Sequence, residues 1–224
     1  MIPAFELSEG AEVCILASDL LLATSNDEKG LSGSELRRAC WDMKVYAENY
    51  IVENTVATNL SECFALARTT GATMTELDRA RLALIAYPTK SLLATLIKNG
   101  CISFSLEQMS LVIADATFKS SEDVTKVRNE VNVGFDQAEE KAADEMVLEV
   151  YKELVATHAA VTFHLYETAR PLPQMLAYRF AQPRPTLVLS HRLYDTAARA
   201  DQLREENKVI HPAFAAREGR ALAF

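Results

Sequence analysis

The spacing of apolar residues along the chain predicts a protein built mainly from helices. Phe5, Val13 and Leu20 belong to an apolar series with helical spacing over residues 4–24. Similar series follow, in order, over residues 34–71, 75–87, 89–100 and 105–118, and polar, proline or glycine residues separate them. Helices joined by such short connections indicate an antiparallel bundle.

Two details of this bundle follow from the same pattern. In the helix that starts at Ser34, the buried side is expected to carry four apolar residues: Trp41, Val45, Ile51 and Val52. Asn99-Gly100 predicts a helix end, because glycine and asparagine adopt the left-handed conformation that closes helices. A further helix is then expected to start near Ser103 or Ser105.

One long helix is predicted over residues 121–170, a segment that has no proline and a single glycine, Gly134. Its apolar or small residues recur at steps of three or four: Val124, Val127, Val131, Phe135, Ala138, Ala142, Met146, Val150, Leu154, His158, Val161 and Leu165. A continuous helix would reach roughly 75 Å. Gly134 is the position where it could break, since glycine costs about 1 kcal/mol inside a helix.

The pattern changes after the prolines of "PLPQ", residues 171–174. Residues 174–182 alternate as a short strand, "TLVLSHRLY" and "TAARADQLREEN" each form a short helix, and "RALAF" returns as a strand. The sequence therefore predicts two domains. Residues 1–170 form the helical domain, and residues 171–224 form a small βααβ module.

Charge and composition narrow the classes of function. The net charge of −8 opposes binding to phosphate-rich partners such as DNA. No apolar run is long enough to span a membrane, and "MIPAFELSEG" lacks the pattern of a secretory signal. The four cysteines are dispersed without a Cys-x-x-Cys pair, which predicts reduced, buried side chains in a chain made in the cytoplasm.

The candidate reaction chemistry points away from an enzyme. Ser190 and His191 are adjacent on a predicted helix and project about 100° apart, so they do not form a nucleophile–base pair. His158, on an apolar stripe, fits a hydrogen-bonded core position better than a metal ligand, and the acidic run at 139–149 lacks Glu-x-x-His partners. We predict no catalytic residue, no cofactor and no metal.

The C-terminal residues carry a resemblance to LysM modules. Asn207, Ile210, Pro212, Phe214, Gly219 and Leu222 follow the tail pattern that comes after the second helix of such modules. The front differs, since "PRPT" stands where LysM modules have Gly-Asp-Thr, and that loop helps form their saccharide groove. The resemblance implies a LysM-like βααβ fold and leaves glycan binding open.

Residues from about 118 to 224 also resemble the C-terminal region of Mu-like phage DNA circularisation proteins. The match includes Phe118, Ser120-Ser121, "ARPLP" at 169–173 and, most specifically, "PTLVLSHRLYDTAARADQLREENKVIHPAF" at 185–214. The family usually carries a β-rich N-terminal domain, which has no counterpart in this sequence. Residues 1–110 show no motif of the family.

This resemblance implies a non-enzymatic structural protein of a contractile phage tail, located in the virion near the baseplate and tail tube. Its expected partners are other tail proteins, in several copies of a symmetric assembly. The expected protein interface comprises Arg192, Tyr194, Arg199, Asn207, His211 and Phe214. Two alternatives stay open: a DNA-end-binding protein, supported by eight basic against five acidic residues in 179–220, and a peptidoglycan-binding LysM-type module.

Overall fold

The computed structural model describes residues 2–27 and 29–223 and is mainly helical. Within these ranges it has nine helices and two short strands, namely α1 Ala4–Leu22, α2 Leu31–Val52, α3 Val56–Thr69, α4 Met74–Ala86, α5 Leu92–Ala114, α6 Ser121–Asp144, α7 Leu148–Ala169, β1 Met175–Arg179, α8 Thr186–Tyr194, α9 Ala200–Glu206 and β2 Glu218–Leu222. In this described part of the chain, every helix is too short or too polar to cross a bilayer.

The contacts divide the chain into two compact units. The first unit is Met1–Ala116 with Glu130–His164, and the second is Thr117–Asn129 with Leu165–Phe224. The second unit thus includes residues that the sequence assigned to the helical domain. The domain boundary between residues 170 and 171 stays a prediction, because a compact unit is not yet shown to fold by itself.

The first unit has a core of apolar side chains from its first five helices. Gly10 of α1 lies against Ile51 of α2, and Asp19 pairs with Lys44, so these two helices run antiparallel. The largest fully buried side chains of these five helices are Leu21, Leu36, Met43, Leu60, Phe64, Leu77, Leu84, Leu106, Met109 and Ile113. Their burial supplies the main stabilisation, at about 1.5–3 kcal/mol for each large side chain.

The predicted single helix over residues 121–170 is wrong, because the chain turns between α6 and α7. Met146 has a left-handed φ of 55°. The N–H of Val147 donates to the Ala142 carbonyl, and the N–H of Met146 donates to the Ala143 carbonyl. These two hydrogen bonds form a Schellman motif, which ends a helix even where the residue is not glycine.

Gly134, where a break was considered, lies inside the continuous helix α6. A Cβ atom at this position would lie 3.0 Å from Leu106 Cδ2, so the glycine allows α6 to approach α5 closely. The glycine is therefore explained by the close packing of the two helices, and the helix does not break there.

Two predictions in the bundle are also wrong. Helix α5 continues through Asn99-Gly100, because the buried face carries on through Cys101 and Ile102. In α2, Ile51 is buried as expected, but Trp41 is 65% exposed. Val45 and Val52 are exposed too, and the face that packs inward is made of Leu36, Cys40, Met43, Ala47 and Ile51.

The four cysteines are free and buried, as predicted. They come from α1, α2, α3 and α5 and are at most 1% exposed. Burial raises the pKa of the Cys14 thiol to about 12 and also raises the pKa of Cys101. These thiols therefore behave as small apolar side chains of the core.

Candidate functional site

In the second unit, β1, α8, α9 and β2 follow in the order strand, helix, helix, strand. The two strands pair antiparallel, with Tyr178 opposite Gly219. A small core lies beneath them, made of Tyr178, Leu189, Tyr194, Leu203, Ala215 and Ala221. A Cβ atom at position 219 would overlap Asn207 and the Tyr178 ring, so the packing requires glycine there.

Asn207 joins α9 to β2. Its Oδ1 accepts a hydrogen bond from the Arg220 N–H at 2.7 Å, and its Nδ2 donates to the Arg220 carbonyl at 2.8 Å. The same Nδ2 donates to the Leu203 carbonyl at 2.9 Å. Both ends of the amide are thus engaged within the unit. The structure gives Asn207 a role in the fold, and its place in a protein interface stays a prediction.

Two other predicted interface residues form a pair on α8 and the turn after it. Tyr194 is only 7% exposed, and the Arg199 guanidinium carbon lies 4.7 Å from its ring centroid, within the range of a cation–π contact. Arg192, two residues before Tyr194 on α8, is exposed. Of these three side chains, Arg192 and the half-buried Arg199 are the ones that a partner could reach directly.

The loop between α9 and β2 places His211 and Phe214 together. Their ring centroids are 5.4 Å apart, and His211 Nδ1 accepts a hydrogen bond from the Ala213 N–H at 3.3 Å. Phe214 is 75% exposed, and Ile210 is fully exposed. Ile210, a residue of the LysM-like tail pattern, was not among the predicted interface residues.

Ser190 has a structural partner. It is fully buried, and its hydroxyl donates to the Thr196 carbonyl at 2.6 Å. His191, the next residue, is exposed. Within the second unit, this hydroxyl therefore fixes the turn that follows α8.

An apolar cleft of about 580 Å³ lies in the first unit, between α4, α5, α6 and the beginning of α7. Its wall includes four large apolar side chains that are exposed, a feature of surfaces that bind a partner or ligand: Leu82, Ile85, Leu96 and Val150. The sequence analysis missed this cleft because its residues come from four helices and share no local motif.

Charged and polar groups surround the cleft. Asn99 Nδ2 donates to both carboxylate oxygens of Glu145 at 2.8 Å, and Lys141 pairs with the same carboxylate at 3.4 Å. Glu140 and Asp144 also line the cleft, and neither has an ion-pair partner among the described residues. The edge formed by α6 therefore leaves two carboxylates available to a basic partner.

His158 lies between two helices of the first unit. Its Nδ1 is 2.8 Å from Glu139 Oε1, its Nε2 is 3.0 Å from Asn132 Oδ1, and its ring stacks on Phe135 at 4.9 Å. Asp136 adds a carboxylate that completes a geometrically possible metal set with Glu139 and His158. Both ring nitrogens have protein partners, as predicted for a hydrogen-bonded histidine, but the side chain is half-buried and not in the core.

No protein-family model matches the chain, and no curated protein matches it either.

Proposed function

We propose that this chain is a non-enzymatic structural protein of a contractile phage tail, acting at the junction of baseplate and tail tube. The proposal begins from the resemblance of residues 118–224 to Mu-like phage DNA circularisation proteins. In this role the chain binds neighbouring tail proteins and transforms no substrate. It is part of the virion and is made in the host cytoplasm.

The observation that carries the proposal is the strand–helix–helix–strand order of the second unit. β1 and β2 enclose α8 and α9 in sequence and pair antiparallel, which is the arrangement that a LysM-like module requires. Asn207, a residue of the resembling tail pattern, joins α9 to β2 through three hydrogen bonds. This role of Asn207 in connecting the two elements supports the resemblance.

The exposed side chains support a docking role. Aromatic and arginine side chains are favoured at protein contacts, and this unit exposes Phe214 and Arg192. The first unit adds the apolar cleft, which offers a second surface with exposed apolar side chains. Two such surfaces suit a protein that holds neighbours together in an assembly.

A nonsense codon in the gene of the encoding phage or prophage tests the proposal. We expect lysates without complete contractile tails by negative-stain electron microscopy, and restoration when the wild-type chain is supplied in trans. Rescue by a Phe214→Ser chain should be weaker than rescue by the matched control Leu187→Ser, which changes another exposed apolar residue of the same unit. Normal, infectious tails without the chain would overturn the assignment.

One observation favours DNA binding as a second candidate. The second unit contains twelve Lys and Arg residues against eight Asp and Glu residues, a net charge of +4. DNA held through several phosphates should dissociate steeply as salt rises. A filter-binding titration at low and high salt measures this, and no binding at low salt eliminates the candidate.

A further inference from the structure

The loop at residues 210–214, which we call the tip loop, presents apolar side chains to solvent on a fixed backbone. Ile210 and Phe214 are its two large exposed residues. The Pro212 carbonyl accepts a hydrogen bond from the Thr186 N–H at 2.7 Å, and the Ala215 N–H donates to the Arg184 carbonyl at 3.1 Å. Such an anchored loop loses little conformational freedom when it binds.

The two units of the chain carry opposite net charge. The first unit holds eleven Lys and Arg residues against twenty-three Asp and Glu residues, a net charge of −12. The second unit has a net charge of +4. The second unit of one molecule and the first unit of another are therefore complementary in net charge.

The same complementarity is present at the two apolar surfaces. Lys208 and Arg217 flank the tip loop in sequence, and both are exposed without an ion-pair partner among the described residues. Glu140 and Asp144 line the apolar cleft and likewise leave their carboxylates available. An apolar loop with basic flanks thus matches an apolar cleft with an acidic edge.

We propose that the tip loop of one copy of this chain binds in the apolar cleft of a second copy. Ile210 and Phe214 enter the cleft, and Lys208 and Arg217 meet its acidic edge. The cleft of about 580 Å³ has the size of sites that bury a ligand of several apolar groups. This inference does not depend on the assignment to a phage tail.

Because loop and cleft are different surfaces, the contact is heterologous. Repeating it from copy to copy gives a closed ring or a filament, and two copies that exchange loops give a closed dimer. Each of these forms requires an intact loop on one copy and an intact cleft on the other. Variants that disrupt either the loop or the cleft therefore test the proposal.

The experiment uses the full chain, nuclease-treated, in sedimentation velocity and light scattering from about 1 to about 100 µM, which covers weak to moderate affinities. We expect the mass of the wild-type chain to rise with concentration and the association to weaken in high salt. Ile210→Ser with Phe214→Ser should raise the Kd by more than about 100-fold. Leu187→Ser, the matched exposed control, should leave the Kd unchanged.

A mixing experiment identifies the partner surface. Ile85→Glu places a charge in the cleft at an exposed position, so the fold is expected to persist, and far-UV circular dichroism checks this. Alone, this variant and the double loop variant should each stay monomeric, whereas their equimolar mixture should form a dimer through one intact loop and one intact cleft. A monomeric wild type, an association that nuclease abolishes, or a mixture without dimer would each overturn the proposal.

Discussion

Gly219, near the start of β2, gives the sharpest test of the second unit's packing. In Gly219→Ala, the added Cβ would lie 2.4 Å from Asn207 Oδ1 and 2.6 Å from the Tyr178 hydroxyl oxygen. Both separations are far below van der Waals contact, so Asn207 or Tyr178 must move. Moving Asn207 breaks its hydrogen bonds to the N–H and carbonyl of Arg220.

The expected loss of stability follows from these contacts. Two hydrogen bonds at about 0.5–1.5 kcal/mol each give about 1–3 kcal/mol. Alanine recovers about 0.5–1 kcal/mol, because glycine loses more chain entropy on folding. We therefore expect Gly219→Ala to lower the free energy of unfolding of the second unit by about 1 kcal/mol.

Gly100→Ala is the matched control, and its effect should have the opposite sign. Gly100 lies inside α5, and a Cβ there would have no neighbouring atom within 4 Å. The substitution should stabilise the first unit by about 0.5–1 kcal/mol through helix propensity alone. The same glycine-to-alanine change thus tests steric crowding at residue 219 and backbone entropy alone at residue 100.

Hydrogen exchange followed by mass spectrometry measures each unit separately, because local opening need not coincide with global unfolding. Peptides that contain the Arg220 amide should exchange about 5-fold faster in Gly219→Ala, which corresponds to the expected free energy. Peptides of α5 should exchange more slowly in Gly100→Ala. Unchanged protection of Arg220 in Gly219→Ala would show that the packing of Asn207 and Tyr178 against this glycine is wrong.

Three further predictions concern the first unit and the turn after α6. Met146→Gly should raise the free energy of unfolding by roughly 1 kcal/mol, since Met146 is 90% exposed and holds a left-handed φ that glycine adopts freely; a lower melting temperature would contradict this. Hydrogen bonds from the backbone and hydroxyl of Thr73 lower the pKa of Glu76, so its contribution is present above the ordinary carboxyl range and is lost as the pH falls through the lowered pKa. The stability difference between wild type and Glu76→Ala, about 0.5–1 kcal/mol near neutral pH, should therefore shrink in acid, as urea unfolding at several pH values would reveal. The four buried thiols should react with a thiol reagent only after denaturant is added, and rapid labelling of the native chain would contradict their burial.

The helical class and the order of the C-terminal elements could be predicted from the sequence because both depend on local patterns. Apolar residues spaced three or four apart indicate helices, and the alternation of side chains near Tyr178 indicates a strand. The turn at Met146 could not be predicted in this way. Methionine keeps the helical pattern, and only the hydrogen bonds of Val147 and Met146 show that the helix ends.

It was harder to predict which face of each helix is buried. Trp41 was expected inside because it falls on an apolar series with helical spacing, yet the face that packs inward includes Cys40 and Ala47 and leaves Trp41 exposed. Close packing of helices favours small residues at the contact, and tertiary contacts decide which face is used. The same limit hid the apolar cleft, whose residues come together only when four helices pack.

Of the candidate interface, the sequence predicted the residues but not their different uses. Asn207 and Tyr194 serve the fold of the second unit, through hydrogen bonds to Arg220 and through burial. Phe214 and Arg192 face solvent, and Ile210 joins them unexpectedly. A sequence motif indicates which positions are important, but not whether a residue packs in the core or binds a partner. The exposure of each side chain distinguishes these two roles.

Quantitative mass spectrometry of purified particles from the encoding phage or prophage tests the central claim most directly. A structural tail protein must remain in the particle through gradient purification, so we expect peptides from both units in a fixed ratio to the other tail proteins. That ratio should correspond to several copies in each tail. A chain that is abundant in the lysate but missing from intact, contractile particles would contradict the account.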